Sequence, residues 1–497
     1  MRPTSIAFNS SLHMVRVVFN FRSIIHMLLL NKLNTDRFRP VSWRHMVCSW
    51  DVFFQKRIFA HPRPFEGFLL RTVFFSRITS GRECNFRFLT RVNFNGSQIT
   101  RCDISIGRRV PFCGGRLVFL NTRRTTFPFA FLAMSLEYTE IPVLDWTLAK
   151  RDAPAFISQL RNAMINVGFL YLSNHPVPMD LVNHVIDLTP KFFTLPQKVK
   201  NSVDMSLSPH FHGYLRVGGE ARDGHPDTRE QFNFGGDRVC RYVEGQPEYL
   251  KLHGNAPWPE DAALPGFRQT MLEFYKCLED LSWEFTGYVS QALGLEAHEL
   301  YSLFDSDRSK LQPRCKLMSY PPSPPGTTGI GSGIGPHPDK SILTYLLQAS
   351  EQRVLEVQNH SGDWVPVPPI EGTFVINLGR ALETATQKIT KATIHRVLSP
   401  VKDPRYSIAF FSSLGMDIRI AEVKFEFPQE VLDMKKARDE RTGDKTEFKY
   451  RDSDYRKAGE VVLDEKIKTH PMATLQFYPA LFDKFFPNGL PAHLVAH

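Results

Sequence analysis

The stretch from Gly331 to Ser407 constrains this chain more than any other. It holds His337-Pro338-Asp339, then His395 56 residues past that Asp, then Arg405 and Ser407 ten and twelve residues past His395. Two imidazoles and one carboxylate form a donor set that suits non-haem Fe(II) and leaves coordination positions open. Residues i and i+2 of a strand project from one face. His337 and Asp339 can therefore reach one ion if residues 333–346 are extended, and the third ligand must come from a different strand.

His-x-Asp alone is ambiguous, because His225-Pro226-Asp227 repeats it. Context separates the two copies. His253 has no Arg ten residues on, and His298 has Arg308 at ten but Lys310 at twelve, whereas His395 has both Arg405 and Ser407. A 2-oxo acid that chelates iron through its C1 carboxylate and keto oxygen leaves its distal carboxylate inside the fold. A buried carboxylate needs a partner, and arginine meets it with two parallel donors. Arg405 and Ser407 share a strand face and suit that task, and Tyr320 on an earlier strand could add a phenolic donor.

Around this stretch the elements can be read from periodicity. Phe156, Leu160, Ala163, Met164 and Val167 recur at helical spacing before Gly168, and Phe169-Leu-Tyr-Leu reads as a strand. Leu181, Val185, Leu188, Phe192 and Phe193 mark a second helix, and Phe267 to Tyr288 a long amphipathic one. Residues 202–265, rich in Gly, Pro, His and Arg, read as a long loop region over the site. From Leu317 to Phe411 seven short apolar segments separated by turns argue for a sandwich or jelly roll. Residues 434–459 read as a charged, solvated insertion, and Leu475 to Phe486 as a terminal helix. The expected divisions are 1–133, 134–310 and 311–497.

Composition matters at the first of these boundaries. Residues 1–133 carry 21 Lys+Arg against 5 Asp+Glu, a net +16, while the remaining residues sum to −6, so the whole-chain +10 arises in the first quarter. That quarter also holds 19 of the 40 Phe, without a sustained helical or strand period. It reads as upstream sequence ahead of a natural start at Met134, outside the fold. A mitochondrial transit peptide and a basic nucleic-acid module are the competing readings. The longest apolar run there, Ile24 to Leu30, falls short of the roughly 20 residues that span a bilayer. Past Met134 the three cysteines are widely spaced, which suits a reducing compartment. The expectation is a cytoplasmic monomer with neither nucleic-acid nor membrane partners.

These motifs resemble the 2-oxoglutarate/Fe(II)-dependent dioxygenases of the isopenicillin N synthase-like superfamily. The matches run in order from Ile141-Pro-Val-Leu-Asp145 through Gly168-Phe-Leu-Tyr-Leu-Ser-Asn-His175, Arg229-Glu-Gln-Phe232 and Tyr320-Pro-Pro322 to His337-Pro-Asp339. They continue through Val375-Ile-Asn-Leu-Gly379 and His395-Arg-Val397 to Arg405-Tyr-Ser407. The resemblance implies a mainly β chain with flanking helices around a double-stranded β-helix (jelly-roll) core. It implies iron on His337, Asp339 and His395, 2-oxoglutarate on Arg405, Ser407 and Tyr320, and ascorbate as an auxiliary reductant. The implied activity is O2-dependent hydroxylation or desaturation of a small molecule in secondary metabolism, with release of succinate and carbon dioxide.

Three departures from the family pattern stand out: Arg380 after Asn377-Leu-Gly379, Thr386-Gln-Lys388 before the third ligand, and Met318-Ser319 before Tyr320. An oxidase of the same fold that needs Fe(II) and O2 but no oxo acid is the alternative reading, because it can share the Arg-x-Ser pair. A ligand-free scaffold is disfavoured by the intact triad. His210, His212, His225, Arg222 and Arg229 read as solvated loop residues, with lining of the substrate entrance as the sharper option. Trp364 reads as core.

Overall fold

The computed structural model describes residues 138–219, 221–222, 225–323 and 332–490, together with the backbone of four strands nearer the N-terminus. The chain divides into two compact units, Met1–Pro128 and Phe129–His497. In the first, β1 (Val47–Phe54), β2 (Phe68–Thr79), β3 (Glu83–Phe94) and β4 (Ser97–Arg108) follow one another as an antiparallel meander. Regular strands here differ from the aperiodic reading; Phe-, Val- and Thr-rich segments favour extended backbone whether or not they alternate with polar residues.

The second unit is built on two sheets. The larger has eight strands: β5 (Val143–Asp145), β6 (Phe169–Ser173), β16 (Thr373–Leu378), β13 (Leu343–Gln348), β18 (Arg405–Ser412), β11 (Arg314–Tyr320), β10 (Glu230–Phe234) and β7 (Gly213–Leu215), in that spatial order. The smaller runs β12 (Ser332–His337), β17 (His395–Leu398), β14 (Leu355–Gln358), β15 (Trp364–Pro366). A hairpin of β8 (Ala221–Arg222) and β9 (His225–Pro226) stands apart.

Period-2 alternation assigns each face of the larger sheet. Leu170 and Leu172, Leu317, Phe374 and Ile376, Ile408 and Phe410 join one cluster with the helices. Their neighbours Phe169, Tyr171, Met318, Tyr320, Val375 and Ala409 join a second cluster with Ile334, Leu355, Val357 and Val397 of the smaller sheet. The two sheets thus face each other across a shared interior, the jelly-roll arrangement the strand spacing predicts.

Helices close the other face. α1 (Ala153–Asn166) starts where the Asp152 carboxylate accepts from the Ala155 N–H, which satisfies one of the unpaired donors of its first turn. α2 (Met179–Phe193) and α3 (Phe267–Ala292) lie against the sheet. Phe274 of α3 meets Phe374 at 6.2 Å and Phe285 meets Tyr345 at 6.1 Å between ring centroids. A short helix, α4 (Arg380–Ala385), follows β16.

Several expectations need correction. Residues 202–265 are not one loop, since β10 pairs with β11 and β7 with β10, extending the main sheet. The segment 434–459 is not a free insertion. Most of its first half is helix α5 (Gln429–Thr442), whose Arg438 is only 3% exposed. The terminal helix breaks in two, because Tyr478 leaves the helical region and Pro479 begins a new helix. α6 (Ala458–Thr469), α7 (Pro471–Phe477) and α8 (Pro479–Phe485) pack on Phe211, Tyr249 and Leu252. Trp364 is half-buried rather than core, with the Arg396 guanidinium 3.9 Å from its ring centroid.

Candidate metal and oxo-acid site

His337 ends β12 and His395 begins β17, and the two are direct cross-strand partners. Their ring centroids lie 4.4 Å apart. Asp339 is not on a strand with His337, as the i, i+2 reading had it. Pro338 cannot donate to the ladder, so β12 stops and the chain crosses from the small sheet towards β13. Asp339 sits on that crossing, where the Arg380 N–H donates to its carbonyl at 2.8 Å. The ligand atoms of His337, Asp339 and His395 all fall within 4.8 Å of one another.

The carboxylate is oriented by its surroundings. Thr344 Oγ1 donates to Asp339 Oδ2 at 2.6 Å and Asn377 Nδ2 at 2.8 Å. Oδ1 is left facing the imidazoles, 3.8 Å from His337 Nε2 and 3.9 Å from His395 Nε2. Each ring holds its Nδ1 against a backbone carbonyl, that of Gly335 at 2.8 Å for His337 and of Thr393 at 3.2 Å for His395. With Nδ1–H donating there, the Nε2 lone pairs turn inward, as metal-binding imidazoles require. Burial acts to raise the Asp339 pKa, but the facing imidazoles of His395 and His337 and the Asn377 and Thr344 donors outweigh it and hold the carboxyl well below its usual range. Two imidazole nitrogens and one carboxylate oxygen, converging and backed by donors, fit a divalent iron.

Arg405 and Ser407 lie deeper, on β18. Arg405 is 1% exposed. Its Nη1 donates to Ser407 Oγ at 3.0 Å, its Nη2 reaches Gln348 Oε1 at 3.5 Å, and its guanidinium carbon lies 5.1 Å from the Tyr320 ring centroid. Tyr320 is its cross-strand partner on β11. Among the described residues no carboxylate pairs with Arg405, and burial lowers its pKa. A buried guanidinium with only neutral partners among the described residues can receive an anion.

Other residues also gather here, and Thr344 and Asn377 among them were not singled out. Asn377 lies inside the quoted Val375-Ile-Asn-Leu-Gly379 segment, two residues from Val375 and so on the same face, and Thr344 is its cross-strand partner on β13. Arg229, read as solvated, is 5% exposed; it pairs with Asp227 at 2.9 Å and approaches Tyr320 Oη at 3.4 Å. Asp227 of the second His-x-Asp serves an ion pair with Arg229. His212 is fully buried and His210 half-buried, away from solvent. The side chains of Arg222 and His225 lie outside the described residues. Arg380 shows that one departure is harmless: its backbone N–H serves Asp339, while its side chain is turned to Glu383 at 4.0 Å.

Residues 141–261 match the family described as non-haem dioxygenase in morphine synthesis N-terminal, and residues 311–413 match the 2OG-Fe(II) oxygenase superfamily. The chain is 34% identical over 344 residues to the 2-oxoglutarate-dependent dioxygenase frbJ of Dothideomycetidae sp. (strain 11243), covering 68% of this chain and 91% of that protein. It is 30% identical to the homoarginine-6-hydroxylase 2-ODD-C23 of Glycine max, covering 58% and 89%. Among solved structures, a 2OG-Fe(II) oxygenase family protein from Caulobacter crescentus matches at 27% identity and a TM-score of 0.49, covering 59% of this chain and 91% of that one.

Proposed function

Since the chain belongs to the 2-oxoglutarate- and Fe(II)-dependent oxygenases, we propose that His337, Asp339 and His395 hold its iron and that Arg405, Ser407 and Tyr320 hold the distal carboxylate of 2-oxoglutarate. The observation that carries this reading is the pairing of a converging His-Asp-His set with a buried, carboxylate-free Arg405 on the facing sheet. The enzyme oxidises a small-molecule substrate, and we place that substrate in secondary metabolism. The oxidase without an oxo acid gains no support, because the similar curated proteins are named as 2-oxoglutarate-dependent. No helix among the described residues is long and apolar enough to cross a membrane. The free thiols of Cys240, Cys277 and Cys315 favour a cytoplasmic protein.

When bound, the iron couples O2 reduction to decarboxylation of the oxo acid and to oxidation of a substrate C–H bond. The chain supplies placement. The facing imidazoles of His395 and His337, with Asn377 and Thr344, keep Asp339 ionised, and the two donors leave one oxygen to face the rings. Arg405 and Ser407 anchor the far end of the oxo acid, so its C1 carboxylate and keto group point at the histidines. Phe169, edge-on to His395 at 5.3 Å between centroids, excludes water from that flank. Arg229, paired with Asp227, reaches Tyr320 Oη and adds a fixed charge pair beside that phenol.

The test is Fe(II)-dependent conversion of 2-oxoglutarate to succinate by the purified chain. His337→Ala and Asp339→Ala should each remove it, with a fall of about 10³-fold or more, because a metal site missing one of three protein ligands is incomplete. Iron binding without 2-oxoglutarate consumption across a broad substrate panel would instead favour the oxidase.

A further inference from the structure

We propose that Arg438, on helix α5, is a positioning residue for the third metal ligand, His395, acting by clamping the strained turn that delivers it. The proposal rests on the reading of His337, Asp339 and His395 as the iron site.

The turn is Thr386-Gln387-Lys388. Gln387 has φ +49° and Lys388 φ +65°, and they are the one consecutive pair of non-glycine residues at positive φ among the described residues. Left-handed backbone disfavours residues with a Cβ, and helices commonly end on Gly or Asn for that reason. Here α4 ends on two long side chains instead. The Gln387 N–H still closes onto Thr384 O at 3.1 Å and the Lys388 N–H onto Glu383 O at 2.8 Å. A conformation that its own residues disfavour persists only where the surroundings over-determine it.

Arg438 provides that surrounding. Its Nη2 donates to Lys388 O at 2.7 Å, and its Nη1 to Ile389 O at 2.7 Å and Ile165 O at 3.1 Å. Asp439 accepts from Arg438 Nε at 3.0 Å and Nη2 at 2.7 Å, and is itself held by Lys435 at 2.6 Å. One guanidinium therefore ties the end of α1 to two successive carbonyls of the turn. α5 is otherwise a charged surface helix, with Val431 and Arg438 as its buried residues.

From this clamp to His395 the chain is pinned at nearly every step. Ala392 N–H donates to Glu383 Oε1 at 3.2 Å, and Thr393 Oγ1 to Val167 O at 2.6 Å. Ile394 O accepts from the Gln358 N–H at 2.8 Å. The Thr393 carbonyl then receives His395 Nδ1, which sets the ring's tautomer and aim. Displacement at 388–389 is transmitted to that carbonyl because no slack segment intervenes.

The experiment compares the full chain with Arg438→Lys and Arg438→Met, each alone and combined with Gln387→Asn/Lys388→Gly, a turn that adopts positive φ without strain. Metal-free protein is titrated with Co(II) and Fe(II) under anaerobic conditions, and 2-oxoglutarate binding is measured at saturating metal. Arg438→Met should weaken metal affinity about 3- to 10-fold, less than the loss of a group bonded directly to a ligand, with Arg438→Lys intermediate. The Asn-Gly turn should restore affinity to within about twofold of the parent. Binding of 2-oxoglutarate at saturating metal should stay within about twofold, because Arg405 stands on the other sheet.

Folded Arg438 variants with unchanged metal affinity would overturn the proposal. So would a loss that the Asn-Gly turn fails to rescue, because that would mark a general scaffold defect. Should Arg438→Met not fold, the same comparison rests on Arg438→Lys. His395→Ala serves as the reference: if the parent binds metal no better than His395→Ala, the iron-site reading itself fails. A parent that binds far better, with Arg438 variants equal to it, sinks only the clamp.

Discussion

Asp339 divides its two oxygens, one for Thr344 and Asn377 and one facing the imidazoles of His337 and His395, and that division is a property of single residues. Replacing Asn377 with Ala leaves Oδ2 a single donor and frees the carboxylate to rotate. Metal affinity should fall about 10- to 100-fold with little change in 2-oxoglutarate affinity at saturating metal, as a Co(II) titration would reveal. Arg405→Lys should act the other way round. A point charge cannot replace a planar fork, so the apparent KM for 2-oxoglutarate should rise about tenfold or more while the metal stays bound. An unchanged KM would remove Arg405 from the oxo-acid site. That His337, Asp339 and His395 come together, and that Arg405 and Ser407 share one strand, was legible in the sequence from residue type and spacing. Thr344 and Asn377 were not, because serving the site depends on which neighbour the sheet register puts opposite them, and the reading of Arg229 as solvated missed its burial. Asp227 makes the same point in reverse: its tripeptide repeats His337-Pro-Asp339, and burial beside Arg229 gives it an arginine partner.

At the scale of elements, strongly periodic segments were readable and interrupted ones were not. The helices α1, α2 and α3 announced themselves by apolar spacing. β7 and β10 hid because their short runs lie in a stretch whose Gly, Pro, His and Arg content signals turns on either side. α5 misled for a different reason: its charge suggested full solvation, yet the Arg438 fork is buried on backbone carbonyls that no sequence pattern displays. The junction of α1 and β6 offers a direct test. Gly168 has φ +74°, and a Cβ there would lie 2.3 Å from Lys391 O and from Thr393 Oγ1. Gly168→Ala should therefore destabilise the fold by about 2 kcal/mol or more, read as a lower urea midpoint. Metal affinity should drop with it, since Thr393 carries the carbonyl behind His395. A variant as stable as the parent would show that this junction yields freely.

For the molecule as a whole, buried histidines set the behaviour on mild acidification. Burial holds His175, His212 and His253 below the ordinary imidazole pKa of 6.5. The unfolded chain takes up protons below that value while these native rings resist, so their contribution to stability is whole above pH 6.5 and is lost as pH falls. Each can remove up to about 1.4 kcal/mol per pH unit. Urea midpoints of metal-free protein should thus fall between pH 7.5 and 5.5, a window above the titration of Asp339. A flat profile would mean that the rings accept protons inside the fold.

The larger sheet is a wall between two chambers, with Arg405, Ser407 and Ala409 on the reactive side and Ile408 and Phe410 on the greasy side. Genetically, such a wall tolerates changed letters far better than a changed count. Deleting one codon within 405–412 would slide every later side chain to the opposite chamber, placing hydrocarbon in the reaction space and polar groups against the helices. In a mutational library, single-codon deletions in β18 should therefore vanish under selection even where most substitutions at the same positions survive.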